Sequence, residues 1–321
     1  MTKKIKVAVL GAGHLGQYHV QKYSEHPDVD LIGVVDTDKN RAREIAKKNN
    51  TKAFFKHSEI LKNVDAVSIA VPTEKHFDVA CDVISAGAHL LIEKPITYDL
   101  DQAYKLVDMA RQANLIIQIG LIERFNPAIM ELQKHLKSPI LIEANRRHLF
   151  TLRGTDVDVV LDLMIHDIDI VLQMNPGATI SDINAVGLSA ITDKTDMASA
   201  RLTFSNGVIA NLTASRISGE NIRGLRVFQH EEYLYADYQK RAFFRTPYKA
   251  SVEAEGDPNK VLSHVAAFPE RDPLKDEIHA FINSIITGAP VKVTGEDGIK
   301  ALDVALKIIS KIHKKYSARV T

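Results

Sequence analysis

The sequence predicts an α/β protein in two parts: a doubly wound parallel sheet at the N-terminus, then a C-terminal α/β domain on an open, mainly antiparallel sheet. Short apolar runs alternate with helical periods up to residue 120, as expected of strands joined by helical crossovers. The first run opens onto glycines in the GxGxxG spacing. Beyond residue 135 the runs change to apolar-polar alternation with short turns, the pattern of a sheet with one covered face. A chain of 321 residues suits two domains, and the cut is expected between residues 1–121, a dinucleotide-binding domain, and 122–321, a substrate-binding domain.

The elements follow in order. "IKVAVLGAGHLGQYHVQKY" is a β-branched run, then Gly11, Gly13 and Gly16, then a helical period. The three glycines have different physical roles. Gly11 makes the turn, Gly13 lets a pyrophosphate approach the backbone, and Gly16 allows close helix-to-strand packing. The diphosphate would sit on the helix N-terminus. The second strand, "DLIGVVD", ends at Asp36, a carboxylate placed to accept from an adenosine ribose and repel a 2′-phosphate. NAD is therefore favoured over NADP, although Lys39, Arg41 and Arg43 follow closely and any of them could fold over a 2′-phosphate. "VDAVSIAVPTEKHFDVACDVISAG" is an apolar strand ending at Pro72 and Thr73, followed by an amphipathic helix. "AHLLIEKP" and "ANLIIQIG" supply the fifth and sixth strands, with the helix "DLDQAYKLVDMARQA" between them. The fifth strand stops at Pro95, which removes the next ladder donor. Lys94 is thereby delivered to the carboxyl edge of the sheet, where ligands of open α/β sheets bind.

After the helix "NPAIMELQKHL", the segments "ILIEANRRH", "ISDINAVGLSA", "ASARLTFSNGVIANLTASRI" and "GLRVFQHEEYLYADYQKRAFFR" alternate apolar and polar residues. Asn206-Gly207 is a hairpin signal. "EAEGDPNK" reads as a surface loop, and "DPLKDEIHAFINSIITG" and "GEDGIKALDVALKIISKIHKKY" as two closing helices.

Lys plus Arg (41) nearly balances Asp plus Glu (40), so no global field favours nucleic acid or an anionic membrane, and an anionic ligand must meet local groups. The single cysteine, Cys81, excludes an internal disulfide framework and suits the reducing cytoplasm. The start "MTKKIKVAVLGAG" has too short an apolar run for a signal peptide, and no other stretch approaches a membrane span.

"DVVLDLMIHDIDIVL" has a helical period and is apolar nearly all round, so it is buried and its polar residues need partners. Asp162 and His166 are four apart and share a face, which Asp158 and Asp169 extend. Three readings stand. The pair satisfies itself in the core; or it binds a metal, although no cysteine or further histidine joins it at ligand spacing; or it does acid-base work. Imidazoles exchange protons near neutral pH, and a carboxylate can orient one. Alcohol oxidation requires such a group, since the hydroxyl proton must leave as the carbon gives up hydride.

With "GAGHLGQYH", "IEKPIT" at residue 93, "ERFNPA" after the last parallel strand and the Asp-x-x-x-His helix, the chain resembles the glucose-fructose oxidoreductase / inositol dehydrogenase (Gfo/Idh/MocA) family over essentially its full length. The resemblance implies a Rossmann domain, a C-terminal open sheet and a sugar or polyol substrate between them. It implies a cis bond before Pro95 and a catalytic set of Lys94, His166 and Asp162. The cofactor would meet Gly11, Gly13, His14, Leu15 and Gly16; Asp36 and Thr37; Pro72, Thr73 and His76; and Glu93 and Lys94. The substrate would meet Arg124, Phe125, Asn126, Arg153, Asp162 and His166, and a homo-oligomer would form through the C-terminal sheet. The run "LRGTDVDVVLDLMIHDIDIVL" is similar to that of members oxidising the 3-hydroxyl of UDP-N-acetylglucosamine, for 3-amino sugars of lipid A. One departure is "DVDVVL" where the family often carries glycines before the catalytic Asp. Arg124, Arg146, Arg147 and Arg153 flank the expected cleft and suit diphosphate oxygens, or form ordinary ion pairs. His166 is expected to take the hydroxyl proton with Lys94 on the same oxygen, or the two exchange roles. The alternatives are another sugar, polyol or imine as substrate, and, of another class, a non-catalytic NAD-binding sensor, which needs only the glycine turn.

Overall fold

The computed structural model of the chain describes residues 4–151, 154–155, 157–253 and 264–317. Arg153 and nearly all of the expected loop "EAEGDPNK" lie outside them. The order begins β1 (Ile5–Leu10), α1 (His14–Ser24), β2 (Val29–Val35), α2 (Lys39–Lys48), β3 (Lys52–Phe54), β4 (Ala66–Ile69), α3 (His76–Ser85), β5 (His89–Glu93), α4 (Leu100–Gln112) and β6 (Ile117–Gly120). It continues with α5 (Pro127–His135), β7 (Pro139–Arg147), a π-helical turn Val160–Met164, α6 (Ile165–Gln173), β8 (Ile180–Leu188), β9 (Met197–Phe204) and β10 (Ile209–Ser215). Then come β11 (Ile222–Gln229), β12 (Glu232–Asp237), β13 (Ala242–Pro247), α7 (Tyr248–Glu253), β14 (His264–Ala267), α8 (Pro273–Thr287) and α9 (Gly295–Ser317).

Two compact units result, Met1–Ile122 with Leu274–Lys300, and Glu123–Pro273 with Ala301–Thr321. The first holds a six-stranded sheet in the order β3-β2-β1-β4-β5-β6, every neighbouring pair parallel. Strands β4 and β6 are buried along their whole length, which is why their sequences are apolar without alternation. Asp38 and Asp99 cap α2 and α4 through backbone N–H groups of the first turn.

The contact boundary differs from a single cut after residue 121. Ile278, Phe281 and Ile282 of α8 are buried in one cluster with Val7, Val9, Val20, Tyr23 and Leu91. Each such side chain contributes roughly 1.5–3 kcal/mol on burial. A helical period alone cannot say which apolar face a distant helix will cover, so this return was not legible.

The second unit holds an eight-stranded sheet ordered β14-β13-β12-β11-β7-β10-β9-β8. Only β7 and β10 run parallel; the other neighbours are antiparallel. Gly207, at φ +85°, turns the β9–β10 hairpin, where the Asn-Gly signal placed it. The π-turn and α6 pack on β10, so the helix carrying Asp162 and His166 covers the sheet. Among the described residues no helix is long and apolar enough to cross a membrane.

Candidate active site

In the first unit, the glycines of the β1–α1 turn divide the work. Gly11 has φ +96°, and a Cβ there would lie 2.4 Å from the Ala70 carbonyl oxygen. A Cβ on Gly16 would lie 1.8 Å from the Gly11 oxygen. Gly13 caps α1 with no side chain on the first turn, and a Cβ added to it would meet nothing within 4 Å. The protein itself leaves position 13 open to a side chain, and a diphosphate on the helix N-terminus would need that same space. His14 is exposed and stacks edge-on against Tyr18, with Leu15 half-buried beside it.

Asp36 ends β2 with its carboxylate fixed by the loops it joins: Oδ2 accepts from the Ala12 N–H at 2.8 Å and Oδ1 from the Asp38 N–H at 2.8 Å. Thr37 beside it is exposed. Of the basic residues that could serve a 2′-phosphate, Arg41 is 3.6 Å from Asp36 and 3.2 Å from Asp38, while Lys39 and Arg43 both lie over the Phe55 ring. The turn, the uncapped helix and the carboxylate fit a dinucleotide of the NAD type.

At the carboxyl edge, Pro72 is exposed and Thr73 half-buried. His76 is buried, with Nδ1 2.8 Å from the Pro95 carbonyl and Nε2 2.9 Å from that of Val71, so its ring ties two edge loops together. The Lys94–Pro95 bond is cis, as the resemblance implies. From Leu90 to Thr97 every residue is buried except Lys94, which is half-buried. Glu93 points into the core, where Oε1 lies 2.9 Å from His19 Nε2; His19 Nδ1 is 3.1 Å from Ser68 Oγ, itself 2.8 Å from the Tyr23 hydroxyl. Burial works to raise the Glu93 carboxyl, but the His19 hydrogen bond and the charges around it bring it below its ordinary range. The buried Glu277 is driven the other way, well above the ordinary range, by burial and then by the Glu93 charge. A Ser-His-Glu chain of this kind resembles a hydrolytic triad, but Ser68 is fully buried and unavailable to a substrate.

The second unit presents the other candidates. Between Asp158 and Val171 every residue is buried except Asp162 and His166. Asp162 lies in the π-turn and His166 in the first turn of α6; π-turns recur at functional positions because they re-aim side chains. The carboxylates expected to extend their stripe do other work: Asp158 accepts from the Thr195 N–H at 2.8 Å, and Asp169 is buried against Arg124.

The arginines beside the helix hold carboxylates. Arg124 donates to Asp169 through Nε (2.8 Å) and Nη2 (2.5 Å). Arg146 donates to Asp167 (3.1 and 2.9 Å) and to Glu123 (2.7 Å). Burial works against its charge, and these carboxylates more than offset it, raising its proton affinity. Arg147 pairs with Glu220 at 3.0 Å. Phe125 is buried, and Asn126 caps α5 by accepting from the Ala128 N–H while donating to Glu123 and the Tyr238 carbonyl. Arg153 lies outside the described residues.

Two further arginines were not singled out by the sequence. Arg223 pairs with Arg146 across β11 and β7 on the face that α6 covers. Its Nε is buried with no hydrogen-bond partner, and burial followed by Arg146 repulsion lowers its proton affinity. Arg216 is fully buried. One basic residue in a strand looks like another until the pairing register is known, so no local signal could have marked either. Among the described residues, no group of three or more His, Cys, Asp or Glu side chains is placed to hold a metal ion.

Comparison with known proteins agrees with this geometry. Residues 5–121 match the Gfo/Idh/MocA model, an oxidoreductase family with an NAD-binding Rossmann fold. The chain is 40% identical to the UDP-N-acetylglucosamine 3-dehydrogenase of Acidithiobacillus ferrooxidans over 305 residues, 95% of this chain and 96% of the relative. The solved structure of that organism's UDP-N-acetylglucosamine 3-dehydrogenase superposes with a TM-score of 0.87 at 38% identity, covering 96% of this chain and 98% of the other. An apo scyllo-inositol dehydrogenase from Lactobacillus casei, 21% identical, shares the fold with a TM-score of 0.79 over 98% of both chains.

Proposed function

The chain belongs to the Gfo/Idh/MocA oxidoreductase family, with its NAD-binding Rossmann fold, and from that premise we propose that it oxidises the 3-hydroxyl of UDP-N-acetylglucosamine, using NAD. The product is a 3-oxo sugar nucleotide, ready for amination toward a 3-amino sugar of the lipid A kind. The near-full-length likeness to a 3-dehydrogenase of that sugar nucleotide supports the substrate. The chemistry rests on one observation: in two otherwise buried stretches, solvent reaches only Lys94 in the first and only Asp162 and His166 in the second. Buried stretches expose a base, an acid and an imidazole only where something must reach them.

Bound NAD supplies the hydride acceptor. Gly13 and the first turn of α1 would hold its diphosphate, and Asp36 its adenosine ribose. The imidazole of His166 takes the hydroxyl proton, oriented by the Asp162 carboxylate, and the Lys94 amine stabilises the alkoxide as it develops. Arg124, Arg146 and Arg147 already serve carboxylates. Arg223, half-buried and with no hydrogen-bonded carboxylate among the described residues, is the contact we assign to the substrate's negative charge. A homo-oligomer through the sheet face carrying the tilted pair Phe228–Tyr233 and the stacked pair Tyr235–Phe244 belongs to the same proposal, as does a cytoplasmic setting.

The test is mass spectrometry of UDP-N-acetylglucosamine incubated with the protein, NAD⁺ and a ketone trap. A trapped 3-oxo sugar nucleotide is expected, falling on the order of 10²–10⁴-fold in Lys94→Ala and His166→Ala while NAD still binds. Turnover of other sugars or polyols alone would keep the chemistry and discard the substrate; no turnover on any substrate despite NAD binding would leave a sensor.

A further inference from the structure

Asp162 sits in the second unit with its carboxylate against a loop whose position is not its own doing. Gly154 of that loop has φ +69°, and a Cβ there would lie 2.6 Å from Asp162 Oδ2 and 2.9 Å from its Cγ. Glycine is thus required twice, for its left-handed backbone and for the space the carboxylate occupies. Nothing larger lets the loop lie on Asp162.

The loop is held from beneath by Arg216, the bulkiest of the fully buried side chains. Its Nη1 donates to the Gly154 carbonyl and its Nη2 to the carbonyls of Val157 (2.5 Å) and Thr195 (3.0 Å). The charge is balanced by Asp196, also fully buried, whose Oδ1 lies 3.5 Å from Arg216 Nε. Asp196 is itself fixed, accepting from the N–H groups of Ala190 (2.8 Å), Ile191 (2.7 Å) and Thr192 (3.0 Å) and from the Thr192 hydroxyl (2.7 Å). The same strand end grips the start of the helix: Thr195 donates its N–H to Asp158 Oδ1 (2.8 Å) and its carbonyl accepts from Val159 N–H (2.9 Å), while the Asp158 carbonyl accepts from the N–H of Asp162 (3.0 Å). One guanidinium therefore joins the loop above Asp162 to the strand end that anchors the helix below it. A buried arginine spent on three backbone carbonyls is unusual, because most pair with carboxylates or phosphates, and only its rigid fork reaches all three.

We propose that Arg216 is a positioning residue for the reaction: through Gly154 it sets the Asp162 carboxylate in the orientation that directs His166. The inference rests on the proposed role of Asp162. Since displacement of a catalytic group by about an ångström can lower turnover on the order of 10²-fold, the effect should appear in kcat and leave NAD binding alone.

The experiment measures kcat, KM for UDP-N-acetylglucosamine and for NAD, and thermal stability in Asp162→Asn, Gly154→Ala, Arg216→Lys and Arg216→Ala. Gly154→Ala is expected to remain folded, to lower kcat on the order of 10- to 100-fold and to leave KM for NAD unchanged. Arg216→Lys follows the same split. Arg216→Ala regains turnover on adding millimolar guanidinium, a rescue that Asp162→Asn does not show. If Asp162→Asn turns over normally, the role of Asp162 fails and the inference with it. If Asp162→Asn is impaired while folded Gly154→Ala and Arg216→Lys keep full kcat, the positioning role is wrong and the reading of Asp162 stands.

Discussion

Gly13 and Gly16 stand three residues apart in one turn and are glycine for opposite reasons. At 16 the protein forbids a side chain, because a Cβ would overlap the Gly11 carbonyl; at 13 the protein leaves the space open. Gly16→Ala should therefore lose folding outright, whereas Gly13→Ala should melt within a few degrees of the parent and lose NAD affinity by about tenfold or more. Calorimetric melting with NAD titration measures both; equal loss of stability in the two variants would remove the ligand-based reason for Gly13. Lys94, Asp162 and His166 were legible in the sequence because each interrupts an apolar run, and a buried run tolerates an ionisable residue only for cause. The arginines were legible as charges but not as pairs. Arg124 meets Asp169, 45 residues away, and Arg146 meets Glu123 and Asp167, and no spacing rule connects residues on different elements.

Periods and turns carried the elements. Five of the six parallel strands, the Asn-Gly hairpin and the buried helix stand where apolar pattern and glycine placed them, whereas β3 (Lys52–Phe54), three residues long, has no apolar run of its own. The π-turn at Asp162 did not show, because its extra residue changes hydrogen bonding without changing the apolar count. Helix α8 carries a further consequence through Glu277, whose carboxylate is buried and raised in pKa by burial and the Glu93 charge. A carboxyl raised in the folded state keeps a proton that the unfolded chain releases. Its contribution is complete below the ordinary carboxyl range and is lost as pH rises toward the folded value. Glu277→Gln should thus leave the Tm nearly unchanged at pH 5 and raise it by a few degrees at pH 8. Parallel melting curves for parent and variant across this range would overturn the assignment of a neutral, buried acid.

At the scale of the whole molecule, the first unit is discontinuous in sequence. Ile278, Phe281 and Ile282 belong to its core although some 160 residues separate them from β6. Their burial is worth roughly 4.5–9 kcal/mol together, comparable with the entire stability of an ordinary domain. A fragment of residues 1–121 should accordingly give a broad, non-cooperative melt, and one joining 1–122 to 274–300 through a short linker a sharp one; a cooperative transition in the shorter fragment would show that α8 is dispensable. The same discontinuity sets a schedule for synthesis. After β6 leaves the ribosome, roughly 180 further residues must be made before residue 300 follows, on the order of 10 to 35 s at ordinary elongation rates. During that interval the nascent sheet and α1 have an uncovered apolar flank where Phe281 will dock. Slower translation therefore lengthens the time for which this flank stays bare instead of easing the folding of the first-made part.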